Sequence, residues 1–468
     1  MKKKITYIIA SAALLLGAVS CSDSFFERYP ANSVTEGNFY QSEADFNQGV
    51  YSCYAKLKTQ MAFYLTELAY RSDECILESM AVSTQFRYDL DNFVEVESNT
   101  ILSDVWNAWY NGIYRCNDVL DHAEGKSFAK LPQYRAECLF IRSWYLFMLY
   151  QTFGTVPIPT TVLTPAESMN LGRCTDQEMY DRLVTDLTDA IANLPAARPV
   201  EKARVSKIAA QALLGRVYLK FGKYAEAQSI LGQALQDPNY GLMPTTAAAF
   251  DVNNKMNKEI LFALCYNKSI DQGHGYWYSS NTAVEADRNN PTPTFKKIYD
   301  QKLDNRFDLI NGYVKISSSV YAMNKWYDTY DATFTTVVGN DFPMLRYADV
   351  VLMQAEAIGL GGDIAGALPY LNQTRTRAGL PALTTKEVSS RDQFIRELAD
   401  ERGREFALEG HRWFDLVRLG LAVDYFRSLG YNLDEHELIL PIPRAQLEIY
   451  NNTDLLWQNP GYNSNYSK

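Results

Sequence analysis

Residues 206–235 read SKIAAQALLGRVYLKFGKYAEAQSILGQAL, and their spacing decides the fold. Ala209, Ala212 and Gly215 recur every third residue in a run free of proline, so one helix face carries almost no side-chain bulk and a second helix can approach it. Phe221-Gly222-Lys223 supplies a turn, and helical spacing resumes with Ala225 and Ala227. Helices joined by so short a connection pack antiparallel. Residues 345–374 repeat the logic: Ala348, Ala355 and Ala357 precede a Gly359-Leu360-Gly361-Gly362-Asp363 break, and Ala365, Ala367, Leu368 and Leu371 follow it. Pro369 lacks an N–H donor, so this second helix is expected to start late or to kink there. Arg375 and Arg377 complement its dipole, and Ala378-Gly379-Leu380-Pro381 provides a glycine cap and a proline stop.

Residues 43–58 and 106–150 carry weaker versions of the same hairpin. In the second, Trp106, Trp109, Tyr110, Ile113 and Leu120 fall at three- and four-residue steps, and residues 136–150 are apolar nearly all round, hence central. The expected fold is all-α, a scaffold of tetratricopeptide-like helical hairpins. Strand signals are sparse and local, as at residues 438–443. Between Tyr266 and Phe342 the helical period disappears; Gly273, Gly275, Pro291, Pro293 and Gly312 mark a loop-rich insertion expected to carry the ligand site. A second loop-like run, residues 83–99, carries Phe86, Arg87, Tyr88 and Asn92. The expected organisation is a leader at 1–20, a helical region at 21–250, and a C-terminal region at 251–468 containing the variable loop 266–342.

Composition supports a large core: 47% of the 468 residues are hydrophobic and 13% aromatic, which excludes a disordered tail or linker. The net charge of −10 makes nucleic acid an unfavourable partner, and loss of Lys2, Lys3 and Lys4 with the leader makes the remainder more acidic still. Those lysines, the apolar stretch from Ile5 to Val19 and the small residues before Cys21 read as a secretory leader. A cysteine directly after Gly17-Ala18-Val19-Ser20 resembles a lipoprotein cleavage site, so Cys21 is expected to be acylated and to hold the body on a membrane. No later window is long and apolar enough to span a bilayer.

Chemical motifs are few. Six further cysteines show no metal spacing, and those at 53, 116 and 138 sit in apolar helical patterns as buried free thiols. The four histidines include no pair at helical spacing, so no metal or cofactor is expected. Glu397, Glu401, Glu405 and Glu409 form one helical stripe that offers paired carboxylates for glycosidic-bond chemistry. Arg396, Arg402, Arg404, Arg412 and Arg418 interleave with them, and the neutralised, structural arrangement is the preferred reading; no catalytic residue is assigned. A sugar ring instead needs flat aromatic faces beside donors and acceptors. Tyr276-Trp277-Tyr278, between Gly275 and Ser279-Ser280-Asn281, fits that need. Trp326 beside Asn324, Lys325 and Asp328 fits less well, since alternation there could bury one ring. Arg87 and Tyr88 complete the candidate ligand-binding set.

Residues 21–30 (CSDSFFERYP), Ala136-Glu137 through Arg142 to Phe153-Gly154-Thr155-Val156-Pro157, and Leu345-Arg346-Tyr347-Ala348-Asp349-Val350 to Ala355-Glu356-Ala357 resemble, in order, words of the SusD/RagB family. Residues 401–420 (ERGREFALEGHRWFDLVRLG), Leu440-Pro441-Ile442-Pro443 and Gln458-Asn459-Pro460-Gly461-Tyr462 extend the resemblance over nearly the whole chain. It implies a Bacteroidetes-type surface lipoprotein of the outer membrane, without catalytic activity, that captures an oligosaccharide for a SusC-like TonB-dependent transporter barrel. Peptide capture is the alternative within the family; a helical glycoside hydrolase or lyase using Glu401 or Glu405 is the alternative outside it. The shared words are scaffold words and assign no ligand contact.

Overall fold

The computed structural model describes residues 39–76, 85–196, 201, 203–267, 279–280, 290–315, 321–328, 339–462 and 464–468. In chain order these form α1 (Glu43–Leu68), β1 (Cys75–Ile76), α2 (Gln85–Asp91), α3 (Thr100–His122), α4 (Leu131–Phe153), α5 (Asp176–Asn193), α6 (Lys207–Lys220) and α7 (Tyr224–Ala234). There follow β2 (Ile260–Leu264), β3 (Ser279–Ser280), β4 (Asn290–Pro291), β5 (Tyr313–Lys315), β6 (Tyr321–Met323), β7 (Phe342–Arg346), α8 (Tyr347–Leu360), α9 (Ile364–Arg377), α10 (Arg391–Glu405), α11 (Arg412–Arg418), α12 (Ala422–Ser428) and α13 (Arg444–Tyr450).

The α6–α7 hairpin is built as its small residues require. A Cβ added at Gly215 would lie 2.4 Å from the Leu231 side chain, so glycine lets the two helices close without displacing it, and Gly222 makes the turn at φ +67°. In the α8–α9 hairpin Asp363 caps the second helix by accepting from the Gly366 amide. Of the two expectations about Pro369 the late start fails: α9 begins at Ile364 and its helical assignment runs through the proline. The lost N–H forfeits one bond, to the Ala365 carbonyl, while buried Ala367, Leu368 and Leu371 hold the helix against its neighbours. Helix α4 is the centre: Phe140, Tyr145, Phe147 and Phe153 are fully buried in an apolar cluster that includes residues from Tyr40 to Leu456. Cys53, Cys116 and Cys138 are free and buried within it. Among the described residues no helix is long and apolar enough to cross a membrane.

Three local readings are corrected. Residues 438–443 form no strand; the Leu440 amide bonds the Thr152 carbonyl and Ile442 pairs with the Gln458 side chain, because Pro441 and Pro443 cannot donate to a ladder. The run 83–99 contains helix α2, followed by an extended stretch with Glu95 and Glu97 buried and Val94 and Val96 exposed. The insertion carries more regular structure than its composition suggests. Antiparallel β2 and β7 close its ends, pairing Leu264 with Phe342; β3, β6 and β5 form a small sheet; and β4 pairs with β1.

Candidate functional site

The carboxylate stripe is the first candidate, and the structure seals all of it except Glu397, whose side chain is 39% exposed. Glu401 and Glu405 on α10 are fully buried, as is Glu409 beyond the helix end. Glu401 accepts from Arg306 Nη1 at 2.7 Å, Arg404 Nη2 at 3.0 Å and Thr374 Oγ1 at 2.6 Å. Glu405 accepts from Arg377 Nη2 at 2.5 Å, Arg346 Nη1 at 3.0 Å and Arg306 Nη1 at 3.1 Å. Glu409 takes a bidentate pair from Arg346 and a 2.8 Å bond from Lys325 Nζ. Burial alone would push these carboxyls up, but the surrounding guanidinium charges outweigh it, holding Glu405 and Glu401 below the usual glutamate range. A carboxylate so saturated cannot donate a proton to a leaving group or activate a water. Nearby His411 is pushed down to about 4, by burial first and then by Arg216, and stays neutral.

The aromatic candidates divide. Trp326 is removed as a ligand platform: its ring is fully buried, edge-on to Phe250 at 5.4 Å, with Lys325 Nζ 5.6 Å from the ring centroid. Residues 324–326 form a short 3-10 turn in which Lys325 and Trp326 are both buried, while the adjacent Tyr327 is exposed. Arg87 is only 22% exposed and its fork meets Glu67 with two 2.6 Å bonds, its guanidinium lying over the Phe86 ring at 4.9 Å. It is therefore a braced group on α2, next in sequence to half-buried Tyr88. Tyr276, Trp277 and Tyr278 lie outside the described residues, as does Cys21. What is described is the frame around the first three: Tyr266 precedes them, with Lys58 Nζ 4.8 Å from its ring, and β3 follows them and pairs with β6.

Beside that root the structure holds a cavity of about 150 Å³, lined by Tyr51, Tyr54, Lys58, Arg204, Phe262 and Cys265 among others, which the sequence reading missed. Its signal was available, since Tyr51, Tyr54 and Lys58 follow the three- and four-residue steps of one face of α1. Arg204 spans the Tyr51 ring at 4.6 Å and bonds Glu137 at 2.8 Å, so the aromatic wall is held by a buried charge pair.

With this geometry in view, two family models match in tandem. One, described as "Starch-binding associating with outer membrane", covers residues 22–219, and the SusD family model covers 305–462. The chain belongs to the SusD/RagB family. Among relatives, SusD-like protein P25 of Formosa agariphila is 26% identical over 95% of this SusD-family chain and 97% of its own. The starch-binding protein SusD of Bacteroides thetaiotaomicron is 37% identical over 115 residues, 24% of this chain and 19% of that one. A solved laminarin-binding SusD-like protein superposes with a TM-score of 0.75 at 24% identity, over 90% of this chain and all of that one. The all-α hairpin scaffold expected from residues 206–235 is thus the fold of the family.

Proposed function

We propose that this chain is a lipid-anchored outer-membrane protein of the cell surface, acylated at Cys21, that binds an oligosaccharide and delivers it to a SusC-like TonB-dependent barrel without breaking a bond itself. The match of residues 22–219 to a starch-binding, outer-membrane-associating family model carries the reading. The relatives named for starch and laminarin support a glycan over a peptide. The saturation of Glu401 and Glu405 by arginines supports capture over hydrolysis. The ligand contacts in this reading are Tyr276, Trp277 and Tyr278, together with Arg87 and Tyr88, while buried Trp326 is left out.

The test is calorimetric titration of the mature chain with soluble hexasaccharides of defined linkage, α-1,4- and β-1,3-glucan among them, alongside a reducing-end assay. One probe binds, no reducing ends appear, and Trp277→Ala weakens binding by ~1–3 kcal/mol through loss of the stacked ring. Turnover abolished by Glu401→Gln or Glu405→Gln in folded protein would overturn the reading, as would binding of peptides with no glycan bound.

A further inference from the structure

We infer that a second carbohydrate site lies in the groove between α3, residues 157–171 and α13. The inference rests on the glycan-capture reading and adds a place that no residue of the 266–342 insertion lines. The groove encloses about 240 Å³. Its walls include Tyr110 and Tyr450, both half-buried. Tyr110 Oη donates to the Pro157 carbonyl at 2.7 Å, and Tyr450 Oη lies 2.9 Å and 3.1 Å from the Ser168 and Leu171 carbonyls. Beneath them Trp106 packs against Tyr110 at 4.9 Å and edge-on to Phe153 at 5.3 Å. The rings are thus held by backbone bonds and core packing, so presenting them to a ligand costs little ordering entropy.

The rim supplies the matching polar groups. Gln446 Nε2 donates to Asn107 Oδ1 at 3.2 Å, which leaves the Asn107 amide N–H groups and the Gln446 amide oxygen available to a ligand. A donor and an acceptor side by side complement the adjacent hydroxyls of a sugar, while the rings and the exposed side chains of Met169 and Ile449 complement its C–H face. A purely apolar occupant, such as a side chain of the transporter, would strip water from both amides and return no hydrogen bond. Ligand pockets for larger molecules run to ~300–1,000 Å³, so this groove fits a short chain end rather than a long segment. A second foothold on one polymer raises retention without any new contact at the first.

The test uses the full mature chain with ¹³C-labelled Ile and Met methyls, the signals of Ile449 and Met169 assigned through Ile449→Val and Met169→Leu, and the same hexasaccharides as probes. Both methyls shift saturably in the wild type and in Trp277→Ala, and the double variant Asn107→Ala/Gln446→Ala weakens that response at least tenfold while the heat from the Trp277 site persists. Binding heat that Trp277→Ala abolishes, with neither methyl shifting, overturns this inference and leaves the loop reading standing. Methyl shifts that only the transporter elicits also overturn it. Absence of both heat and shifts for every probe overturns the two readings together.

Discussion

Replacing Glu405 by Gln tests whether the acidic stripe is a structural device. Around it Arg306, Arg346, Arg377, Arg404 and Lys325 face Asp304, Glu259, Glu401, Glu405 and Glu409, a balanced set of charges buried together. Gln keeps the shape but leaves one cation in excess and turns an amide N–H₂ toward guanidinium groups. Removing one partner of a buried ion pair costs about 3–5 kcal/mol. Unfolding entropy is about 2.1 cal/mol/K per residue, or about 1.0 kcal/mol/K for a chain of this size, so the expected fall in Tm is about 3–5 °C. Calorimetry at pH 7, with near-ultraviolet circular dichroism to establish that the variant is folded, measures it. Glu397→Gln is the control: that side chain is 39% exposed and 3.6 Å from Arg375, and its loss should leave Tm almost unchanged. The pH dependence has a defined sign. The folded carboxyl titrates below the ordinary range, so its stabilisation is complete above the unfolded value of about 4.3 and fades as the pH falls through the folded value. The gap between wild type and Glu405→Gln should therefore close in acid. A variant with wild-type Tm at pH 7 would refute the account of the network.

Glu74 behaves in the opposite sense: burial pushes it up to about 8 while Leu408 N donates to it at 3.0 Å, so wild-type stability should fall as the pH rises from about 4.5 toward 8. Glu74→Gln should flatten that slope in urea midpoints measured at pH 6 and 8.5; an unchanged slope rejects the assignment. Gly215→Ala should destabilise by ~1–3 kcal/mol, because the new methyl meets Leu231 and overpacking outweighs the gain in helix propensity; equilibrium unfolding reads it, and a stabilised variant would show that the hairpin yields. Trp326→Ala should cost ~3–5 kcal/mol of stability as a core truncation yet leave the glycan affinity of the folded protein unaltered; an affinity loss without a stability loss would restore the ring to the site.

The hairpins were legible because their signal is local: Gly215 and the small residues at 209 and 212 state a helix contact within a few turns of chain. The neutralised acid stripe was legible as charge alternation, although its deepest partners were not. Arg306 lies 95 positions from Glu401 and Arg346 lies 59 from Glu405, and no spacing rule reaches across such separations. Pairing of β2 with β7 and β1 with β4 was invisible for the same reason, as strands of two to five residues carry little periodic information. Trp326 shows the limit at a candidate site: polar neighbours at 324, 325 and 328 suggested a rim, whereas Lys325 is itself buried, donating to Glu409 and to the Ala407 carbonyl at 2.5 Å.

The β2–β7 clasp has a consequence for how the insertion can vary. Because Leu264 and Phe342 stand side by side, everything between them leaves and re-enters the helical body at one doorway, and Arg306 and Lys325 rivet two interior points to α10 and the residues after it. Lengthening a stretch between rivets costs only about 0.6 kcal/mol per doubling. Such a layout lets the stretches between the tethers change length or sequence while the body that receives them keeps its shape.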